Sequence, residues 1–308
     1  MRRLLRALLV GLLMLLPMVA GASEPGAAWA AGWEKATGGK MVGAATAALR
    51  LKAGARVLDT RSMEAFEAGH LPGAVWMAPD RLLAAQSGEL VLVPTVEAPQ
   101  GVLVVGKMGG DGWWGEQGWL GMVLSSAGAA EVTVAMVEPA AVAASAGVSL
   151  EVGGSPEPSW LRLVEPASGR AGVMSLAEAS AAQQSVAARF LDVRTRAEFE
   201  GARFFGEARG GHIPGAELLA WNALQGEPGW PLEAAAWRSR VEAALAGSTV
   251  PVAVYCTGGI RSGFVTFALR AMGVEARNFE GSMWAWSAEP TLPMESGPLG
   301  ERDGDKAR

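Results

Sequence analysis

The sequence holds one cysteine, Cys256, and two histidines, His70 and His212. Cys256 follows an apolar run at residues 250–255, which predicts a buried strand. It precedes Thr257, Gly258, Gly259, Ile260 and Arg261. From Ser262 the residues Val265, Phe267, Ala268, Leu269 and Met272 recur at helical spacing, and Gly273 reads as the helix stop. The thiol therefore sits at a strand end, in a glycine loop that opens a helix. Such a loop turns successive backbone N–H groups inward, and the helix start and Arg261 add positive charge. All three favour the thiolate, which is the nucleophile; its pKa falls from about 8.5 to roughly 3.5–7.5 in such settings. A cysteine that merely fills core space would need neither the glycines nor the arginine.

The elements that must position this loop occur twice. Residues 56–61 and 189–194 each read as a strand ending in an acid and an arginine, Asp59 with Arg61 and Asp192 with Arg194. Each is followed by a helical turn and a Gly-His-Leu/Ile-Pro-Gly-Ala loop, at residues 69–74 and 211–216, which carries one of the two histidines. The aspartates are 133 residues apart and the histidines 142, so the second copy carries nine extra residues, placed within 201–210. Both copies continue strand, helix, glycine, strand: residues 101–105, 118–127, Gly128 and 131–136, then 250–255, 262–272, Gly273 and 274–279. An internal duplication explains this most economically, and strands alternating with helices predict a parallel α/β sheet in each half. In the first copy Gly106 stands where Cys256 stands. A longer loop at 107–115 holds Asp111, Trp113 and Trp114 in place of a nucleophile. The histidine occurs in both copies, so it belongs to the loop rather than to the chemistry.

At 308 residues the chain predicts about two domains, and 50% hydrophobic with 19% charged residues predicts packed globular structure. Arg2, Arg3 and Arg6, an apolar stretch from Ala7 and the small-x-small run Ala20-Gly21-Ala22 predict an export leader at 1–22, cleaved after Ala22, with an uncleaved anchor as the alternative. Removing the three arginines takes the net charge from −5 to −8. With no basic run, nucleic acid is not an expected partner. The expected organisation is 1–22 leader, 23–150 first domain, 151–170 Gly/Pro/Ser-rich linker and 171–308 second domain. Residues 23–39 read as an irregular entry segment, 41–51 as a short helix and 297–308 as a frayed tail. One cysteine allows no internal disulfide, so an exported chain would carry Cys256 as a free thiol in an oxidising compartment.

The loop Cys256–Arg261 resembles the C-x-x-G-x-R/T active-site loop of the rhodanese (sulfurtransferase) family. Asp192-Val-Arg194, the 211–216 loop and Gly281-Ser-Met-Trp-Ala-Trp286 resemble the other parts of tandem rhodaneses, in the same order. The resemblance implies an α/β protein of two rhodanese-like domains, each a mainly parallel sheet flanked by helices, the first non-catalytic and the second catalytic. It implies a sulfurtransferase, placed in the periplasm by the expected export leader, that moves sulfane sulfur from a small anionic donor, thiosulfate or 3-mercaptopyruvate, to a thiophilic acceptor such as cyanide or a thiol through a Cys256 persulfide. The loop residues Thr257, Gly258, Gly259, Ile260 and Arg261 would hold the persulfide and the donor. Arg194 and Trp286 are further candidate substrate contacts. No organic cofactor, metal or stable membrane insertion is expected, and an unidentified periplasmic partner protein stays open. Thiosulfate is the expected donor on the strength of Arg261. Glu198, at a position where thiosulfate-specific relatives often carry a second arginine, works against it. Two alternatives stand beside this reading. One is a periplasmic persulfide carrier. The other is a phosphatase or arsenate reductase on the same fold, although the related phosphatases use a loop one residue longer, C-x5-R.

Overall fold

The computed structural model describes residues 26–77, 93–96, 98–110, 112–156, 159–164, 171–226, 229–245, 248 and 250–297. The leader, Asp111 and the tail beyond 297 lie outside them. The first half contains helices α1 (Ala27–Ala36), α2 (Ala44–Lys52), α3 (Met63–Ala68), α4 (Glu116–Ser126) and α5 (Pro139–Ala146). Its strands are β1 (Met41–Val42), β2 (Arg56–Asp59), β3 (Val75–Trp76), β4 (Val93–Val96), β5 (Val102–Val105) and β6 (Val132–Ala135). The second half contains β7 (Leu161–Val164), β8 (Val173–Met174), β9 (Arg189–Asp192), β10 (Glu217–Leu218), β11 (Val252–Tyr255) and β12 (Ala276–Phe279). Its helices are α6 (Leu176–Ser185), α7 (Arg196–Glu200), α8 (Ala234–Ala244), α9 (Ile260–Ala271) and α10 (Ser282–Ala288).

Two five-stranded sheets result, ordered β1-β6-β5-β2-β3 and β8-β12-β11-β9-β10, with every pairing parallel. Strand for strand the two orders are the same. The central strands β5 and β11 are buried at every position, as expected of short β-branched runs in a sheet covered on both faces. The local networks also correspond. Arg61 bonds the Asp59 carboxylate and the Gly69 carbonyl, and Arg194 bonds the Asp192 carboxylate and the Gly211 carbonyl. His70 stacks on Phe66 and its Nδ1 meets the Phe66 carbonyl, just as His212 does with Phe199. Each histidine also pairs its backbone with a later glutamate, His70 with Glu151 and His212 with Glu295. Within the segment read as a linker, Glu151 therefore packs on the first sheet's side, and β7 pairs antiparallel with β4.

The entry segment is not irregular. Its Ala-rich run folds as α1, with Trp29 and Trp33 one helical turn apart. Their indole N–H groups donate to the carbonyls of Pro231 and Leu232, at 3.1 and 3.0 Å, in the second half. Residues 41 and 42 are a strand rather than the start of a helix, because β6 pairs with them. One apolar cluster spans both halves and holds seven buried tryptophans, Trp29, Trp33, Trp113, Trp119, Trp221, Trp230 and Trp237. Helices α4 and α9, which follow the two central strands, pack face to face within it. Phe264 sits against Gly118 and Trp119 against Gly263, where a Cβ would lie 2.4 and 2.5 Å from the opposing ring. The excess of tryptophan thus serves the contact between the halves. Among the described residues no helix is long and apolar enough to cross a membrane.

Candidate active site

Strand β11 delivers Cys256 to the carboxyl edge of the second sheet, where open α/β sheets bind ligands. Residues 257–259 turn the chain into α9. Gly259 has φ +96°, and a side chain there would meet the Glu280 carbonyl at 2.7 Å; at Gly258 it would meet the Trp284 ring at 2.3 Å. Both positions require glycine. The first turn of α10 braces the loop from below. Ser282 Oγ accepts from the Cys256 N–H at 3.1 Å, and the Met283 and Trp284 N–H groups donate to the Cys256 and Thr257 carbonyls. Ser282 holds φ +45°, a strained setting for a non-glycine residue that its hydrogen bonds to Cys256 and the Phe279 carbonyl maintain.

The thiol is buried, and Sγ accepts from the Gly259 N–H at 3.1 Å and from the Ser262 hydroxyl at 3.5 Å. Burial pushes the thiol pKa up. The Arg261 charge, the Ser262 bonds and the Gly259 N–H outweigh it and leave the pKa below its ordinary value. Arg261 is itself buried and committed. Its Nη1 and Nη2 donate to the two carboxylate oxygens of Glu198 at 3.0 and 2.8 Å, and Nη2 also donates to Thr257 Oγ1. Thr257 Oγ1 in turn donates to Glu198 Oε1 at 2.8 Å. Glu198 is held by the capping box that Thr195 forms at the start of α7. Burial pushes the Glu198 carboxyl up, and the bonds from Arg261 and Thr195 bring it down to about 2. The site therefore carries an internal ion pair, and Arg261 is not an unopposed cation waiting for an anionic donor.

A cavity of about 180 Å³ opens onto Cys256 and is lined by Thr257, Gly258, Ile260, Arg261, Trp114, Phe205 and Trp284. Six of the sequence-predicted residues are thus brought together: Cys256, Thr257, Gly258, Ile260 and Arg261 on the wall, with Gly259 behind Sγ. Two are not. Arg194 is buried in its bonds to Asp192 and Gly211, which position the 211–216 loop. Trp286 is fully buried among Phe190, Phe279 and Met283 in the second half's core, its indole N–H given to the Pro293 carbonyl. Trp284, two residues earlier, takes the wall, because α10 turns the two side chains to different faces. Glu198, Ser262, Phe205 and Trp114 were not singled out as site residues by sequence. Their signals were Glu198's odd position beside Arg194, and the two extra segments that hold Trp114 and Phe205.

The corresponding place in the first half is filled. A Cβ on Gly106 would lie 2.4 Å from Thr60 Oγ1, and Gln117 occupies the helix position that Arg261 has in α9. Trp113 donates to Gln117 Oε1 at 3.2 Å. Gly106 offers no thiol, and Gln117 carries no charge.

Two parallel α/β units with a glycine-loop cysteine at the carboxyl edge of the second have the fold of two rhodanese-like domains. Residues 175–289 match the family model for the Rhodanese-like domain. Over 267 residues, 78% of this chain and 90% of the relative, the sequence is 26% identical to a thiosulfate sulfurtransferase of Azotobacter vinelandii. The crystal structure of a probable thiosulfate sulfurtransferase superposes with a TM-score of 0.54 at 26% identity, over 79% of this chain and 97% of that one. The 3-mercaptopyruvate sulfotransferase SseA of Escherichia coli superposes at 0.60 with 20% identity, over 79% and 98%. YnjE superposes at 0.62 with 18% identity over 80% of this chain, which spans 63% of YnjE's length.

Proposed function

We propose that the chain is a sulfurtransferase that carries sulfane sulfur as a persulfide on Cys256. The observation that carries this reading is the thiol itself: buried at the base of an open cavity, with Sγ already bonded by Gly259 N–H and Ser262 Oγ and its pKa lowered. The thiolate attacks the outer sulfur of thiosulfate, whose S–S bond breaks with its electron pair leaving on sulfite. From 3-mercaptopyruvate it would take the thiol sulfur, the C–S bond breaking and the thiol proton passing to the departing enolate, which becomes pyruvate. The groups that hold the thiolate then hold the persulfide anion. A thiophilic acceptor, cyanide or a thiol, takes the outer sulfur and regenerates the thiolate, so ping-pong kinetics are expected. The names of the relatives support this chemistry. Because Glu198 bonds both guanidinium nitrogens, the Arg261 charge is shared between Glu198 and the thiolate, which weakens the case for Arg261 as a selector of thiosulfate. Arg261 instead supports the thiolate and shapes the loop.

The filled Gly106 position supports a non-catalytic first domain whose part in the site is to present Trp114. We further propose a tandem duplication with the domains at 23–150 and 171–308, and export to the periplasm with cleavage after Ala22; mass spectrometry of the exported protein should find Ser23 at its amino terminus. For the central reading, donor-treated protein should gain one sulfur atom at Cys256 and the Cys256→Ala variant none. Turnover that persists in that variant overturns it. A carrier rather than an enzyme would load the sulfur but fail to pass it catalytically to cyanide.

A further inference from the structure

The two segments that break the correspondence between the halves meet over Cys256. The 107–115 loop supplies Trp114 and the extra residues at 201–210 supply Phe205, with ring centroids 5.8 Å apart and planes nearly perpendicular. Trp284 closes the third side, donating its indole N–H to the Phe205 carbonyl at 2.8 Å. Three rings from three separate elements thus wall the cavity.

The collar is fastened in place. Arg209 donates to the carbonyls of Trp286, Ser287, Glu289 and Leu292. The Phe205 N–H is held by Glu207 at 3.0 Å and the Ala208 N–H by Ser287 Oγ at 3.0 Å. Trp114 and Phe205 face the Arg261 guanidinium, whose carbon lies 5.1 and 5.9 Å from their centroids. With Glu198 bonded to that guanidinium, the lining offers a small inorganic dianion no net charge. It offers a flat apolar group three aromatic rings, in a volume like the roughly 150 Å³ apolar cavities that take up benzene.

We propose that the donor that loads Cys256 is an organic sulfane-sulfur compound with a flat apolar body, seated against Trp114, Phe205 and Trp284. The proposal rests on the persulfide reading above. For a thiosulfonate, R–SO₂–S⁻, the Cys256 thiolate attacks the terminal sulfur and its electron pair forms the new S–S bond. The donor's own S–S bond breaks and its pair leaves with the sulfinate, R–SO₂⁻. Cys256 is left as the persulfide anion, with no proton, oxidant or reductant required.

The test measures Cys256 loading by quenched mass spectrometry on the full chain, with benzenethiosulfonate, methanethiosulfonate and thiosulfate. Each rate is divided by the donor's rate with free cysteine, which removes differences in leaving group. The expected normalised ratio of the benzene to the methane donor is about tenfold or more, from ring contacts and apolar burial, with thiosulfate below both. Trp114→Ala and Phe205→Ala should each cut that ratio severalfold. A ratio near one, or a high ratio that both variants leave intact, overturns this proposal while loading itself upholds the persulfide reading. Failure of every donor to load Cys256 overturns both.

Discussion

Glu198→Gln isolates the charge that the structure places against Arg261. The substitution keeps the side chain's shape and removes its charge. Both carboxylate oxygens bond the guanidinium, at 3.0 and 2.8 Å, and the carboxyl is held at about 2 against an ordinary value of 4.5. That depression corresponds to about 3 kcal/mol, in line with the roughly 3–5 kcal/mol lost when one partner of a buried pair is removed. Stability at neutral pH should fall by about that amount, and Tm by roughly 6–12 °C. The sign with pH follows from the depressed pKa: the contribution is complete above about 4.5 and is lost as the pH falls through about 2. The variant should therefore lack that part of the wild type's acid loss. At the site, the same change leaves the Arg261 charge without its internal partner. The second negative charge of thiosulfate, placed about 6–8 Å from an unopposed guanidinium at an effective dielectric near 20, gains about 2–3 kcal/mol. Thiosulfate kcat/KM relative to monoanionic methanethiosulfonate should then rise roughly 30- to 100-fold. Both donors are assayed on one preparation with cyanide as acceptor, so partial unfolding cancels in the ratio. An unchanged or lower ratio would refute the view that Glu198 sets the charge the donor meets.

Three further expectations follow from single contacts. The rate of Cys256 alkylation by iodoacetamide should be half-maximal at a pH below the ordinary thiol value of about 8.5, and Ser262→Ala should move that midpoint up; no movement would mean the 3.5 Å hydroxyl contact contributes nothing. Arg209→Ala removes the side chain that bonds four carbonyls, so stability should fall by about 2–4 kcal/mol, and amide exchange should accelerate across 201–210 before it does elsewhere. Gly106→Cys should not create a second persulfide site, because its Cβ would lie 2.4 Å from Thr60 Oγ1; the expected results are a loss of about 1–3 kcal/mol and, in mass spectrometry, sulfur on Cys256 alone.

What the sequence determined by itself is the part governed by short-range spacing. A β-branched run, a cysteine, two glycines and an arginine within fifteen residues leave little choice of local geometry, and the strand, loop and helix stand where the spacing puts them. The repeated acid–arginine strand ends and histidine loops gave two α/β units in the same order, since each element's period is written into adjacent residues. Even the departures from the repeat, at 107–115 and 201–210, were visible as extra length. Tertiary structure alone decided what those residues meet. Glu198 and Arg261 are 63 residues apart, and no local pattern foretells that the carboxylate closes on both guanidinium nitrogens. The Ala-rich run at 27–36 favours a helix by itself, but only the tertiary structure places Trp29 and Trp33 so that their N–H groups reach the carbonyls of Pro231 and Leu232. Trp286 and Trp284 are equivalent by composition and separated by one residue, yet one fills the core and the other lines the cavity, because the docking of α10 beneath the cysteine loop fixes which face looks inward. Trp114 reaches Cys256 from the other half of the chain, through a packing of α4 on α9 that depends on which rings fit against which glycines.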